Sequence, residues 1–381
     1  MSVPGLTAGR YAERLALVGE RLRASGSAAL LAGPGADLEW LIGYDAHPSE
    51  RLTMLVVPAE GAPVLVVPRL EQEIAGRGPA TRGGQVRLTA WGETEDAVDQ
   101  VSSAVGDATG DVLVSDRLWA TFVLRLEDAF AGRTLGLASS VLREMRMVKD
   151  AEEVELLREA ARAADRVVAA IVAGRLVGRT ESDVAREVRE RLVDEGHEAA
   201  SFWTVAAGQH TAAPHHSDSA REIGPGEPLL LDLGGRLSGY CSDITRTVWI
   251  RGEDGSGPDP GFVSLYEAVE RSSEAARQQV RSGIAVEAVD RAAREVIEEA
   301  GYGEQFIHRT GHGIGLEVHE DPYIVTGNTE LLVPGHAFSV EPGIYFEGRY
   351  GARIEDIVVC TEAGAQVLNQ APRSLLIVEG R

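Results

Sequence analysis

Residues 229–250 read Leu229-Leu230-Leu231-Asp232-Leu233, then Gly234-Gly235-Arg236-Leu237-Ser238-Gly239-Tyr240, then Cys241-Ser242-Asp243-Ile244-Thr245-Arg246-Thr247-Val248-Trp249-Ile250. Two apolar, strand-like runs flank a turn-rich connection, which is the pattern of a β-hairpin. Pairing about that turn is expected to set Asp232 opposite Asp243, and directly opposed residues have Cβ atoms ~4.5–5.5 Å apart. Asp232 lies in a run of leucines and is expected to be buried. Two buried carboxylates face to face repel each other and lose hydration, a cost that cations between them would remove.

The same arrangement recurs near the C-terminus. Phe338-Ser339-Val340-Glu341 and Ile354-Glu355-Asp356-Ile357-Val358-Val359 flank a Gly-rich turn running from Gly343 to Gly351. Pairing there brings Glu341 opposite Glu355. Four carboxylates on two hairpins, joined by one histidine, make an oxygen-rich site for two metals. A metal pair ~3.5–4 Å apart can share a water and polarise a carbonyl. Oxygen-dominated ligation with one imidazole suits Mn²⁺, Co²⁺ or Zn²⁺ rather than a thiolate site. His312 is the candidate imidazole, because Gly311 and Gly313 beside it allow close backbone approach. His319 and His215 are candidates for stabilising an oxyanion or shuttling a proton.

Working outward, eight of the nine histidines fall between His197 and His336. The region from residue 147 to 381 is expected to be an α+β catalytic domain. Asp150 followed by Glu153 is a capping box, and it opens a helix with Val154, Leu157, Ala161, Ala164 and Val168 on one stripe. A second helix is expected after Thr180, and two more over Val263–Val280 and Val286–Glu299. Residues 1–146 are expected to form a smaller α/β domain, with a helix over Tyr11–Arg23 and another at Glu95–Val105. Strands are expected at Ala28–Leu31, Leu38–Ile42, Met54–Val57, Val64–Val67 and Val112–Val114. No catalytic constellation is visible there.

Composition narrows the function classes. A chain of 381 residues with 44% hydrophobic and 25% charged residues reads as an ordinary globular protein of about two domains. A net charge of −22 disfavours nucleic acid as a partner. There is no apolar run of membrane-spanning length and no secretory signal, so no membrane partner and a cytoplasmic location are expected. Two distant cysteines, Cys241 and Cys360, fit a reducing compartment. Lys149 is the only lysine, read here as compositional bias.

Three local contexts carry a family resemblance. They are Leu230-Leu231-Asp232-Leu233-Gly234-Gly235 with Gly239-Tyr240-Cys241-Ser242-Asp243-Ile244-Thr245-Arg246-Thr247; Gly311-His312-Gly313-Ile314-Gly315-Leu316-Glu317-Val318-His319-Glu320; and Glu341-Pro342-Gly343-Ile344-Tyr345 with Gly351-Ala352-Arg353-Ile354-Glu355-Asp356. Together they resemble the signature of the pita-bread metallopeptidases, which include Xaa-Pro dipeptidase (prolidase) and aminopeptidase P. The resemblance is close over about residues 145–375 and looser before that, chiefly at Trp40-Leu41-Ile42-Gly43-Tyr44.

What the resemblance implies is specific. The fold would be a creatinase-like N-terminal domain, serving substrate gating and dimer contacts, followed by a pita-bread catalytic domain. Asp232 would hold one metal, His312 and Glu341 the other, and Asp243 and Glu355 would bridge both. Two divalent ions, Mn²⁺ first, would be the cofactor, and a bridging hydroxide would attack the carbonyl of the bond before proline. Glu341 would move the proton, while His215 and His319 would bind substrate and stabilise the intermediate. Arg353 would orient the proline end by a bidentate contact to its carboxylate, or would pair with Glu355 or Asp356. Partners would be proline-containing dipeptides or short peptides and a second copy of the chain as a homodimer. His216 and His308 read as packing residues, His210 and His197 are unassigned, and Cys241 reads as a small buried side chain.

Other functions fit the same residues less well. Aminopeptidase P activity on longer peptides is the near alternative, and a small-metabolite hydrolase of the ectoine-derivative type is a further one. A creatinase-like enzyme would lack the ligand set, and methionine aminopeptidases lack a substantial N-terminal domain. A catalytically dead binding module would be expected to have lost ligands.

Overall fold

A computed structural model of the chain describes residues 6–380. Two compact units result, one within residues 4–146 and one from Met147 onward.

The first unit is built on a six-stranded sheet. Its strands run in the order Arg87–Trp91, Val64–Pro68, Met54–Pro58, Ala29–Ala32, Val112–Val114, Leu135–Leu137. The middle strands are continuous apolar runs, buried at every position, as strands covered on both faces are. The Tyr11–Arg23 expectation becomes a helix over Ala8–Ser25. The expected strand at Leu38–Ile42 is instead the end of a helix, Ala36–Ile42. Leu38, Leu41 and Ile42 are all buried, at spacings of three and four that suit one helix face. Asp37 and Glu39 lie in the first turn, where negative charge is favoured, and Gly43 closes the helix in the left-handed region at φ 68°.

The second unit repeats one construction. In its first half the helices Ala151–Ala173 and Glu181–Asp194 pack on a sheet ordered Ile377–Val378, Ile244–Ile250, Pro228–Leu237, Ala199–Ala207. The capping box read from Asp150 and Glu153 is present, and Thr180 caps the second helix. In its second half the helices Pro260–Gln279 and Glu287–Glu299 pack on strands that include Ala337–Val340 and Asp356–Thr361. Among the contacts that join the halves is a bridge from Thr245 to Glu355, where the Glu355 N–H donates to the Thr245 carbonyl at 3.1 Å. Each half contributes one hairpin, and the carboxylates lie where the hairpins meet.

Candidate metal centre

Strand register decides which carboxylates converge. Asp232 pairs with Thr245, and Leu233 with Ile244. Asp232 therefore does not face Asp243, as the simple hairpin reading expected. Asp243 sits one residue outside the Ile244–Ile250 strand, on the same face as Thr245 and diagonal to Asp232. The cause is the Tyr240–Cys241 strand, which pairs back on Arg236 and Leu237 and fixes a tighter turn. In the second hairpin the last ladder pair is Val340 with Asp356, and the next ladder begins at Gly343 with Arg353. Glu341 and Glu355 occupy the gap, side by side in register as expected.

His312 enters from a third segment, in the short strand Gly311–Gly313. A Cβ at Gly311 would run into the Ser339 carbonyl, and one at Gly313 into the backbone of Asp321. Only glycine allows this approach, so the two glycines set the imidazole against the carboxylates. The His312 backbone N–H donates to Ser339 Oγ at 3.1 Å, and Nδ1 donates to the Gly313 carbonyl at 3.1 Å. In that tautomer Nε2 offers its lone pair to the centre. It lies 3.6 Å from Asp243 Oδ2 and 3.4 Å from Glu341 Oε1. One ligand atom each from Asp243, His312 and Glu355 fall within 4.8 Å of one another.

The surrounding side chains fix these groups. Thr245 Oγ1 donates to Glu355 Oε2 at 2.7 Å, and Ser339 Oγ donates to Glu341 Oε1 at 3.2 Å. Arg353 is buried. It donates through Nη2 to Asp232 Oδ2 at 2.5 Å, through Nη1 to the Tyr345 hydroxyl at 2.8 Å and through Nε to Thr245 Oγ1 at 3.0 Å. His308 Nε2 lies 2.9 Å from the same Tyr345 hydroxyl. Of the acids weighed as its partner from sequence, neither Glu355 nor Asp356 but Asp232 takes this ion pair.

Electrostatics show what the cluster lacks. Burial, then repulsion from Glu355, Asp232 and Glu341, pushes the Asp243 carboxyl well up. Burial and repulsion from Glu341 and Asp232 do the same to Glu355. Glu341 is pushed up to about 7, by burial first and against the pull of Arg353. Burial, then His319, pushes His312 down to about 3. Asp232 Oδ1 and Asp243 Oδ1 are buried with no hydrogen-bond partner. Buried oxygens without donors are rare in folded proteins. Crowded carboxylates, an unprotonated imidazole and two orphaned oxygens are the donor set of a divalent-metal site, so the residues fit metal ions.

The remaining candidates lie around this set. His319 is exposed, its ring centroid 4.0 Å from that of His312. His215 is exposed; His308 is pushed down to about 4 by burial first, with Arg353, Arg294 and His215 adding to it. His197 is a buried structural residue, with Nε2 2.8 Å from Ser242 Oγ. Sequence reasoning missed Thr245, Ser339 and Tyr345, whose hydroxyls give no pattern of their own. It also passed over Lys149, which is buried and paired with Glu320, next to His319, at 2.5 Å.

A pita-bread fold whose carboxylates and single histidine converge in this way defines a metallopeptidase. The profile of metallopeptidase family M24 matches residues 155–362, and that of the creatinase/prolidase N-terminal domain matches residues 14–148. The chain is 47% identical, over 97% of its length and 96% of the other, to a protein of Mycobacterium tuberculosis named probable dipeptidase PepE. Its fold matches that of dipeptidase PepE from Mycobacterium ulcerans, with a TM-score of 0.91, 45% identity and coverage of 98% of this chain and 100% of the other. A prolidase from Thermococcus sibiricus matches with a TM-score of 0.87 at 33% identity, over 98% and 100% of the two chains. The chain belongs to metallopeptidase family M24.

Proposed function

We propose that this metallopeptidase hydrolyses the Xaa-Pro bond of dipeptides and short peptides at the centre formed by Asp232, Asp243, His312, Glu341 and Glu355. The observation that carries the reading is the convergence of Asp243, His312 and Glu355 in one buried cluster, with Glu341 against the same imidazole. The prolidase among its structural relatives supports the choice of bond.

In this reading Asp232 would hold one ion and His312 and Glu341 the other, with Asp243 and Glu355 serving the pair. Divalent ions bound there supply Lewis acidity toward the scissile carbonyl and a water acidic enough to attack near neutral pH. Glu341, whose Oε1 lies 3.4 Å from His312 Nε2, takes up a proton at its carboxylate and returns it to the leaving nitrogen. His319, edge-on against the His312 ring, and His215 bind the substrate and donate to the developing oxyanion. Arg353 serves Asp232 directly. Its sequence-derived role toward the proline carboxylate requires N–H groups not used by Asp232, Tyr345 and Thr245, and a guanidinium has five. Manganese as the metal, a homodimeric assembly and a cytoplasmic setting belong to the same proposal. Among the described residues no helix is long and apolar enough to cross a membrane.

The test is cleavage of a paired series, a Xaa-Pro dipeptide and a Xaa-Pro-Xaa tripeptide, after Mn²⁺ loading and after chelation. Metal-dependent cleavage of the dipeptide alone is the expected result. Cleavage of both would assign an aminopeptidase P activity. Cleavage of neither by metal-loaded protein would reject the reading and favour a small-metabolite hydrolase.

A further inference from the structure

A second cluster of titratable side chains lies outside the metal centre. Glu181 is the first residue of the helix Glu181–Asp194, and its side chain is fully buried. Its carboxylate gathers four donors. The Ala207 N–H reaches Oε1 at 2.8 Å, and His210 Nδ1 lies 2.9 Å from the same oxygen. His216 Nε2 lies 2.8 Å from Oε2, and Ser219 Oγ donates to Oε2 at 2.6 Å. The His210 and His216 rings sit 4.3 Å apart, centroid to centroid. Burial works to raise the carboxyl, and the bonds from Ser219, His216, Ala207 and His210 outweigh it, leaving the group below its ordinary value.

Three of these donors lie on one stretch of chain, residues 210–219, and that stretch carries His215. At its start the segment is tied to the catalytic half. The Gly351 N–H donates to Thr211 Oγ1 at 2.9 Å, and Thr211 donates to the Gly208 carbonyl at 2.7 Å. Gly351 begins the sequence that leads to Arg353 and Glu355. Further on, His216 turns inward to Glu181 and is partly buried, while His215 beside it is exposed. Fixing His216 therefore fixes the direction of His215. Past the 3-10 helix Gly208–Ala212 the segment has no ladder to orient its side chains, so a buried carboxylate supplies the constraint.

We propose that Glu181 is a positioning residue, a buried anchor that holds the His210–Ser219 segment so that His215 is presented to the substrate. The inference rests on the assignment of His215 to substrate made above. Glu181, His210 and His216 have the composition of a cation site, but both carboxylate oxygens already accept an N–H or O–H from Ala207 or Ser219, and a closed hydrogen-bond cluster accounts for all four donors.

The test uses the full-length, Mn²⁺-loaded chain and the variants Glu181→Gln, Ser219→Ala, His215→Ala and Glu181→Gln/His215→Ala. An amide at 181 accepts through one oxygen only, so two of the four donors lose their acceptor. Hydrogen exchange of residues 207–219 should quicken in Glu181→Gln and, more mildly and over residues 208–219, in Ser219→Ala, with exchange elsewhere in the unit unchanged. Ser219→Ala keeps the test alive if Glu181→Gln fails to fold. On an Ala-Pro dipeptide, Glu181→Gln should raise KM more than it lowers kcat, with kcat/KM down roughly ten-fold, and that loss should largely vanish in the His215→Ala background, as coupled residues show. Unchanged exchange in residues 208–219, losses that simply multiply in the double variant, or a metal equivalent lost on Glu181→Gln would each overturn the proposal. If the wild type cleaves no Xaa-Pro dipeptide, the functional reading fails on that result, and the exchange measurement still decides whether Glu181 anchors the segment.

Discussion

Replacing Arg353 by methionine should separate the two countercharges of Asp232. The guanidinium is buried and donates to Asp232 Oδ2 at 2.5 Å, within a group of carboxylates that also includes Asp243, Glu341 and Glu355. Arg353→Met keeps much of the stem and removes the charge. In metal-free protein this leaves Asp232 as a largely buried anion with no cation, and breaking one partner of such a pair costs about 3–5 kcal/mol. For a domain of this size each kcal/mol shifts Tm by ~2–4 °C, so the chelated variant should melt roughly 6–20 °C below the chelated wild type. With Mn²⁺ bound, Asp232 has a second countercharge, and the remaining loss is that of the bonds to Tyr345 and Thr245, about 1–3 kcal/mol. The assay is scanning calorimetry of both proteins, chelated and metal-loaded. The metal-induced rise in Tm should be larger in the variant. An equal Tm deficit with and without metal would refute the reasoning, because Asp232 would then gain nothing from an ion.

Asp243→Ala and Glu355→Ala should each abolish peptide cleavage and lower the metal content measured by elemental analysis, since each removes a residue proposed to touch both ions. In chelated protein, Glu341, Asp243 and Glu355 have folded-state pKa values raised above their unfolded ones. Their contribution to stability is fully present below the ordinary carboxylate pKa and, for Glu341, is lost as pH rises through about 7. The Tm of chelated protein should therefore fall over roughly pH 5 to 8, and metal should flatten the trend; a chelated Tm that rises there would contradict it. Thr245→Val should cost about 1–3 kcal/mol by leaving Arg353 Nε and Glu355 Oε2 without a partner, read as a lower Tm in metal-loaded protein. Arg353→Met should raise KM for a dipeptide more than for a tripeptide if the guanidinium also meets the proline carboxylate, and equally for both if it serves Asp232 alone.

The parts of this fold that sequence made legible are those with a repeating physical signal. The capping box at Asp150 and Glu153, the helix after Thr180 and the two carboxylate hairpins all appear where periodicity and turn residues placed them. Leu38–Ile42 misled because a short apolar run fits a buried strand and a buried helix face equally well. The Asp232–Asp243 register misled because the turn contains its own short strand, Tyr240–Cys241. The strand Ala199–Ala207 was missed, since its outer positions are half exposed and carry no clean alternation. At the centre, acids and imidazole stand out in a sequence by type. Their supports do not: Thr245, Ser339 and Tyr345 act through distances of about one hydrogen bond between segments far apart in the chain. Glu181 was invisible for the same reason, as its donors come from residues 207 to 219.

The most direct measurement is a metal titration of chelator-stripped protein, read by cleavage of a Xaa-Pro dipeptide. The account predicts no cleavage before metal is added and a plateau once about two equivalents of Mn²⁺ are bound per chain, the number a shared two-metal centre requires. Cleavage that survives complete removal of metal, or metal bound at that level with the dipeptide left intact, would contradict it.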